Sequence, residues 1–259
     1  MYSFWHQIFE DKKGGEVFTC FGLWHFFYIG IAVALGVFML LYLRDKSAEV
    51  RGKAIYKLIL TAFGLYMADF FIMPLAYGEI YIDKLPFHVC TCMCTVCFLS
   101  RHNFRLAKYR TYFALLGFVS NLVFMLYPAG VMWNAVHPLS YRAWQTLLFH
   151  GVMAVYGLLV LLYENEAKVH TLRHVLAVTV GMAVWALIGS YSYTGTADGY
   201  NYFFNWFYVV QDPFNIFPAE IAPYLMPVLN IFLFTTVEML VLWIVSLTAK
   251  GRKYQVIPA

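Results

Sequence analysis

The chain alternates between long apolar segments and short connections that carry most of its charge. Seven segments approach the length that a helix needs to cross a membrane, which is about 20 residues for a hydrocarbon layer of about 30 Å. They cover approximately residues 24–43, 54–76, 85–100, 112–133, 142–163, 173–193 and 222–248. The third is the shortest, and we count it as a span because the charges of its neighbours then alternate between the two sides. The pattern predicts seven transmembrane helices.

The composition agrees with this prediction. Of the 259 residues, 62% are hydrophobic and 20% aromatic, whereas only 12% are charged. Soluble domains carry about 25% charged residues, so the composition indicates an integral membrane protein. We see no linker or internal repeat, and one domain over residues 1–259 accommodates all seven spans and a long aromatic connection at 194–221. The predicted fold is therefore an all-α, polytopic membrane protein.

Lysine and arginine indicate the orientation of the chain. Fourteen of the 18 lie in or beside every second connection, and only four lie on the other side. The fourteen are Arg44, Lys46, Arg51, Lys53, Lys57, Arg101, Arg105, Lys108, Arg110, Lys168, Arg173, Lys250, Arg252 and Lys253. Because such charges concentrate in cytoplasmic loops, the N-terminus is predicted outside and the C-terminus in the cytoplasm of a multi-pass plasma-membrane protein. The net charge of +4 then reflects orientation, and no nucleic-acid partner is expected.

Four of the five cysteines fall within one apolar stretch, residues 85–97. Pro86 suits the first turn of a helix, and neither proline nor glycine interrupts the run that follows. At about 100° per residue, Cys90, Cys94 and Cys97 share one helix face, whereas His88 lies on another. If Cys90 is a nucleophile, its base must therefore come from a different segment.

Polar side chains inside the other spans provide candidates. Asp69 lies near the outer end of the second span, His150 is about eight residues into the fifth, and Asn230 is about eight residues into the seventh. At 1.5 Å per residue, each lies roughly 10 to 12 Å below the outer surface, and His88 and Cys90 lie slightly above them. Ionisable residues at this depth are costly and usually functional. We therefore expect one site that opens outward within the bundle.

A cysteine and a histidine at similar depth are the minimum for a thiol nucleophile with a general base. Cys90 and His150 fill these roles in our interpretation, and Asp69 and His88 orient or tune them. Arg142 lies on the same face of the fifth span as His150, so Arg142 or Asn230 can stabilise an oxyanion or bind a phosphate headgroup. This set favours acyl transfer from an ester through a thioester.

Other functions fit the same residues. His88, Cys90, Cys92 and His150 can supply zinc or copper ligands, although the favoured interpretation uses no metal and no cofactor. A protein that binds or transports a lipid or small polar ligand needs the polar cavity but no nucleophile. A subunit that acts only with a partner protein is a third possibility, and the oligomeric state stays open.

Three short motifs resemble a known family. They are Leu85-Pro-Phe-His-Val-Cys90, the run from His137 to Arg142 that leads into a span carrying Phe149-His-Gly151, and Tyr200-Asn-Tyr-Phe-Phe204 in the outer segment. Together they resemble the YwaF-like family of bacterial integral membrane proteins, which is similar to the eukaryotic transmembrane protein 164 family.

This resemblance implies seven helices and, from the eukaryotic branch, an acyltransferase that moves fatty acyl chains onto ether phospholipids with a Cys and His pair. His150 matches the histidine of the fifth span. In the eukaryotic branch the nucleophile directly precedes the histidine of a Pro-x-His motif, where this chain has Phe87, and Cys90 is the nearest cysteine. We therefore expect a lipid acyltransferase or lipid esterase acting on membrane phospholipids, with Arg142, His137, Asn201 and Asn230 contacting the substrate.

Overall fold

The computed structural model describes residues 15–78, 84–128, 131–132, 135–165, 171–194, 217–218 and 220–253. Within these ranges the regular structure is entirely helical, as predicted. The helices are α1 (Leu23–Leu43), α2 (Ala48–Tyr77), α3 (Val89–Leu99), α4 (Phe104–Ala107), α5 (Arg110–Leu126), α6 (Tyr141–Tyr163), α7 (Thr171–Thr194) and α8 (Ala222–Lys253).

Each of the seven predicted segments overlaps one of these helices, but the helices differ in length. By length and composition, α1, α2, α6, α7 and α8 can cross a membrane. The apolar helices α3 and α5 are shorter, with 11 and 17 residues. At 1.5 Å per residue they extend only about 16 and 26 Å. A multi-pass membrane protein is thus confirmed, whereas the crossing of the bilayer by α3 and α5 stays a prediction.

Local signals in the sequence set the start of α6 and the end of α2. The hydroxyl of Ser140 accepts a hydrogen bond from the backbone N–H of Ala143 and caps the start of α6. At the other boundary, α2 ends at Gly78, which has a φ of 80° and donates its N–H to the carbonyl of Pro74. This left-handed conformation is the usual glycine helix stop.

Helix α6 is the centre of the bundle, since 67% of its most apolar stretch is buried, against 22 to 33% in the other four spanning helices. It packs against α1, α2, α3, α5 and α8. At Gly157 a side-chain Cβ would stand 2.7 Å from the carbonyl oxygen of Ala114, so only glycine allows α5 this close. The polar residues of α6 are consequently held inside the protein and away from lipid.

The short helix α3 lies between two parts of the apolar core. Val89 and Met93 belong to a cluster with residues of α5, α7 and α8. Cys94 and Cys97 belong to a second cluster, with residues of α1, α2, α5 and α6. Cys90 is half-buried and packs against both clusters. Cys90 thus shares one cluster with Cys94 and Cys97 and also contacts the cluster of Val89 and Met93.

The start of α3 differs from our expectation that Pro86 opens the helix. The helix begins at Val89, and its N-cap His88 has extended backbone angles of −71° and 145°. The reason is that the carbonyl of Pro86 has a different partner. In a longer helix this carbonyl would accept a hydrogen bond from the N–H of Cys90. Here that carbonyl instead accepts a hydrogen bond of 2.7 Å from the indole N–H of Trp185. Cys90 consequently lies in the first turn of α3.

Candidate functional site

The C-terminal part of α2 and the N-terminal end of α6 meet at a buried carboxylate. Asp69 is 4% exposed, and its Oδ1 accepts a hydrogen bond of 2.8 Å from the hydroxyl of Tyr141. Its Oδ2 lies 3.2 Å from the ammonium nitrogen of Lys84. A buried carboxylate is tolerated only when such partners replace water. The charge of Asp69 is thereby tied to the segment that leads into α3.

His150 lies deeper on α6 and presents one nitrogen without a partner. Its Nδ1 is 2.6 Å from the carbonyl oxygen of Thr146, and since a carbonyl only accepts, Nδ1 carries the hydrogen. The neutral ring then has a lone pair on Nε2. This atom is buried, and within the part of the chain that the structure describes it has no hydrogen-bond partner. The imidazole is therefore available as a proton acceptor.

Aromatic packing fixes the orientation of this imidazole. The ring of Phe124 from α5 stacks on His150 at a centroid distance of 3.7 Å, and Phe149 meets it edge-on at 5.0 Å. His88 and Lys84 lie within electrostatic range of His150. The structure thus brings His150, His88, Lys84 and Asp69 into one region at one end of the bundle.

Cys90 lies at the first turn of α3. Its sulfur lies close to the backbone N–H groups of Cys90 itself and of Thr91. Such first-turn groups have no partner within their own helix. The structure forms no hydrogen bond between Cys90 and His150, because Nδ1 is occupied by Thr146 and Nε2 is unpartnered. The two predicted catalytic side chains are thus in neighbouring elements but not in hydrogen-bond contact.

The four predicted substrate contacts occupy different places. Arg142 is half-buried at the second position of α6. Asn230 on α8 has a buried side-chain nitrogen without a hydrogen-bond partner in the described structure. His137 lies before α6, where its Nδ1 accepts from the N–H of Leu139 and its Nε2 is 3.7 Å from a carboxylate oxygen of Glu16. Asn201 and most of the 194–221 connection lie outside the described residues.

Sequence reasoning overlooked three side chains around Asp69. Lys84 entered the prediction only as an outer charge, although a lysine directly before an apolar helix can reach back to a buried acid. Tyr141 and Gln145 stand four residues apart on α6 and face α2, where Gln145 donates to the carbonyl of Leu65 at 2.9 Å. This spacing is a detectable signal, because residues four apart share a helix face.

Comparison with known proteins identifies the family. The model of the TMEM164 family matches residues 20–247. The chain belongs to the TMEM164 family. No curated protein and no solved structure matches it. The matched region contains all of the described candidate-site residues, from Asp69 to Asn230.

This member of the TMEM164 family has a second cysteine and histidine pair, which the sequence analysis missed. The sulfur of Cys20 lies 3.8 Å from Nδ1 of His25. That nitrogen also accepts a hydrogen bond from the N–H of Phe21, and Nε2 donates to the carbonyl of Met125 at 2.7 Å. Burial raises the pKa of the Cys20 thiol, an effect that the backbone N–H of Phe21 partly offsets. Both nitrogens of His25 are thus occupied, which favours a structural role.

Two further polar groups of the family member hold helices together. At the opposite end of α3 and α6, Glu164 lies 2.8 Å from Arg101 and 3.7 Å from Arg110. Between α7 and α8, Thr179 donates to the buried carboxyl of Glu238 at 2.8 Å. Among the described residues, no three His, Cys, Asp or Glu side chains are grouped so as to hold a metal ion.

Proposed function

We propose that this protein is a membrane-embedded lipid acyltransferase or lipid esterase, with Cys90 as the nucleophile and His150 as the general base. The observation that carries the proposal is the unpartnered Nε2 of a buried, oriented imidazole. A base must have a free lone pair, and leaving a buried polar atom without a partner costs about 1–3 kcal/mol. A catalytic role gives such an atom a function.

The reaction begins when Nε2 of His150 takes the proton of the Cys90 thiol. The thiolate attacks the carbonyl carbon of a lipid ester, and the carbonyl oxygen becomes an oxyanion. When the ester C–O bond breaks, the leaving alkoxide takes the proton from Nε2, and the acyl chain stays on Cys90 as a thioester. His150 then removes a proton from water or an acceptor hydroxyl, which attacks the thioester. Release of the Cys90 thiolate, which regains the proton, completes the cycle.

Two groups of donors can stabilise the oxyanion. The backbone N–H groups of Cys90 and Thr91 lie at the N-terminal turn of α3, where the helix dipole favours negative charge. The unpartnered amide nitrogen of Asn230 is another donor, and Arg142 is a candidate for the phosphate of the headgroup. The reaction requires Cys90 to move into hydrogen-bond contact with His150, a contact that often tightens only when substrate binds.

The test uses purified protein in phospholipid vesicles with a labelled acyl donor and a lysophospholipid acceptor. Cys90→Ala and His150→Ala are each expected to abolish acyl turnover while leaving expression and detergent stability intact. Cys92→Ala is the matched control, because this neighbouring half-buried thiol should be dispensable. Wild-type turnover in both Cys90→Ala and His150→Ala would show that the proposal is wrong.

A binding or transport protein is the alternative, and the two unpartnered polar atoms of His150 and Asn230 also favour it. Such a protein needs a polar ligand in the cavity but no thiol. Cys90→Ser should then retain function, whereas Asp69→Asn or His150→Gln should lose it. An uptake or thermal-shift screen of wild type and Cys90→Ser separates the two candidates. A binding or transport protein should keep its ligand response without the Cys90 thiol, whereas the acyltransferase depends on Cys90.

The proposal includes a location. The bacterial YwaF-like resemblance, the alternating positive charges and the seven apolar helices support a single seven-span domain in the plasma membrane, with an outer N-terminus, a cytoplasmic C-terminus and phospholipids as partners.

Protease digestion of a C-terminal tag tests the orientation. Digestion in inside-out vesicles and protection in right-side-out vesicles is expected, and the reverse result would contradict it.

A further inference from the structure

Three side chains from two helices hold the segment Lys84–His88, which immediately precedes α3. The hydroxyl of Tyr66 donates to the carbonyl of Lys84 at 2.8 Å, and Asp69 pairs with the ammonium group of the same lysine at 3.2 Å. The indole N–H of Trp185 donates to the carbonyl of Pro86 at 2.7 Å. The segment is therefore anchored from α2 on one side and from α7 on the other.

The ring of Phe87 strengthens the anchor on α7. It stacks on Trp185 with a centroid distance of 5.2 Å and lies directly over Gly189. A side-chain Cβ at residue 189 would come within 2.3 Å of this ring, so glycine is required for Phe87 to dock there. The segment thus has both a polar and an apolar contact with α7.

These anchors connect the two proposed catalytic elements. Asp69 also accepts the hydroxyl of Tyr141, which stands at the start of α6, the helix that carries His150. On the other side of Lys84, the segment leads through His88 to Cys90 in the first turn of α3. One hydrogen bond and one ion pair therefore connect α6 through Asp69 to Lys84, at the start of the segment that leads to Cys90.

We infer that the segment Lys84–His88 is a strap that sets the position of Cys90 relative to His150, with Asp69, Lys84 and Trp185 as positioning residues. The inference rests on the proposed function. In this inference Asp69 acts on Cys90 indirectly, by holding Lys84 at the start of the strap. Trp185, a residue far from Cys90 in sequence, holds the strap at Pro86. A misplacement of about 1 Å at a reacting group can lower a rate about 100-fold, so modest loosening of the strap should reduce turnover.

Substitutions can remove one anchor at a time. Trp185→Phe keeps an aromatic ring for Phe87 but loses the N–H donor to Pro86. Trp243→Phe is its matched control, since Trp243 is 59% exposed on α8 and its indole N–H donates no described hydrogen bond. Lys84→Gln removes the ion pair with Asp69, and Lys84→Arg restores it. A role in folding alone would lower the yield of folded protein without changing kcat per folded molecule.

The measurement is the alkylation rate of Cys90 by a long-chain maleimide in lipid nanodiscs, read peptide by peptide with mass spectrometry. Trp185→Phe and Lys84→Gln should slow Cys90 alkylation about 10-fold, towards the rate in His150→Ala, because a loosened strap lets the thiol reach its base less often. Lys84→Arg and Trp243→Phe should match wild type. In turnover assays the first two variants should lower kcat and leave KM unchanged.

The outcomes separate the strap from the proposed chemistry. If His150→Ala slows Cys90 alkylation but the strap variants do not, the strap inference is wrong and the proposed function stands. If His150→Ala does not change the rate of Cys90 alkylation, the proposed function fails. Amide hydrogen exchange of residues 84–91 then shows whether Trp185 holds the strap in place. Faster exchange there in Trp185→Phe, with unchanged exchange in residues 171–180, supports the strap. Unchanged exchange in both regions overturns it.

Discussion

Two cysteine and histidine pairs in the described part of the chain, Cys20 with His25 and Cys90 with His150, differ in the state of the imidazole. Cys20 and His25 are in direct contact at 3.8 Å, but both ring nitrogens of His25 are already hydrogen-bonded to backbone groups. Cys90 and His150 are not in hydrogen-bond contact, yet His150 keeps a free, buried Nε2. The short distance between sulfur and nitrogen therefore favours Cys20 and His25, whereas the free ring nitrogen favours Cys90 and His150.

The difference favours His150 over His25 as the candidate general base, because a base needs a free lone pair whatever its distance to a thiol. The bond from His25 to Met125 joins the start of α1 to the end of α5, so that imidazole acts as a bridge between helices. Among the described residues, the imidazole of His150 forms a hydrogen bond only within its own helix and is held by stacking. Replacing each histidine should consequently affect a different property.

The largest expected effect is on turnover. His150→Gln should lower acyl turnover about 10²- to 10⁴-fold, the usual contribution of a general base. His25→Gln should leave turnover per folded molecule unchanged, since His25 has no free nitrogen. The measurement is initial-rate acyl transfer in vesicles, normalised to folded protein by size-exclusion chromatography. Equal losses in both variants would remove the distinction between the two pairs.

The next effect is on stability, where the change at His25 should be more damaging than the change at His150. His25→Leu leaves the buried carbonyl of Met125 without its donor, which should destabilise the fold by about 1–3 kcal/mol. His150→Phe keeps the stack with Phe124 and should cost less, because the carbonyl of Thr146 can still accept from the backbone of its own helix. Thermal unfolding in detergent checks this order. A lower midpoint for His150→Phe than for His25→Leu would contradict it.

Much of the fold and part of the site could be predicted from sequence. Apolar length alone located every described helix that is long enough to span a membrane, and depth along the spans brought together Asp69, His88 and His150. Both signals are local, since each depends only on periodicity and the rise per residue. The position of Cys90 on the face shared with Cys94 and Cys97 followed from the same rule.

The remaining features depend on contacts between distant residues. The pairing of His25 with Met125 joins residues 100 positions apart, and the start of α3 depends on Trp185, 99 positions from Pro86. The contact of Cys20 with His25 is short in sequence, but it requires a turn through Phe21, whose φ of 60° is an unusual value for a phenylalanine. No periodicity encodes such contacts, so they appear only in the folded structure.

The pH dependence of thiol alkylation gives a smaller but direct comparison. The thiolate is the reactive form, and burial raises the pKa of Cys20, so less thiolate is present at any given pH. Alkylation of Cys20 should therefore reach half its maximal rate above pH 8.5, roughly the value of a free cysteine. The rate is measured by mass spectrometry between pH 6 and pH 10. A midpoint below that of free cysteine would indicate that His25 activates Cys20, and the two pairs would then be alike.

The smallest effect is expected from Cys20→Ser, which is a matched control for Cys90→Ser. Both changes replace sulfur by oxygen in a half-buried side chain, so their direct effects on packing should be similar. At residue 20 the hydroxyl can still donate to His25, and stability should change by no more than about 0.5 kcal/mol with turnover unaffected. At residue 90 the same change removes the proposed thiol nucleophile. If both variants keep full turnover, neither sulfur is required, and the comparison then favours a binding protein whose polar cavity depends on His150 and Asp69.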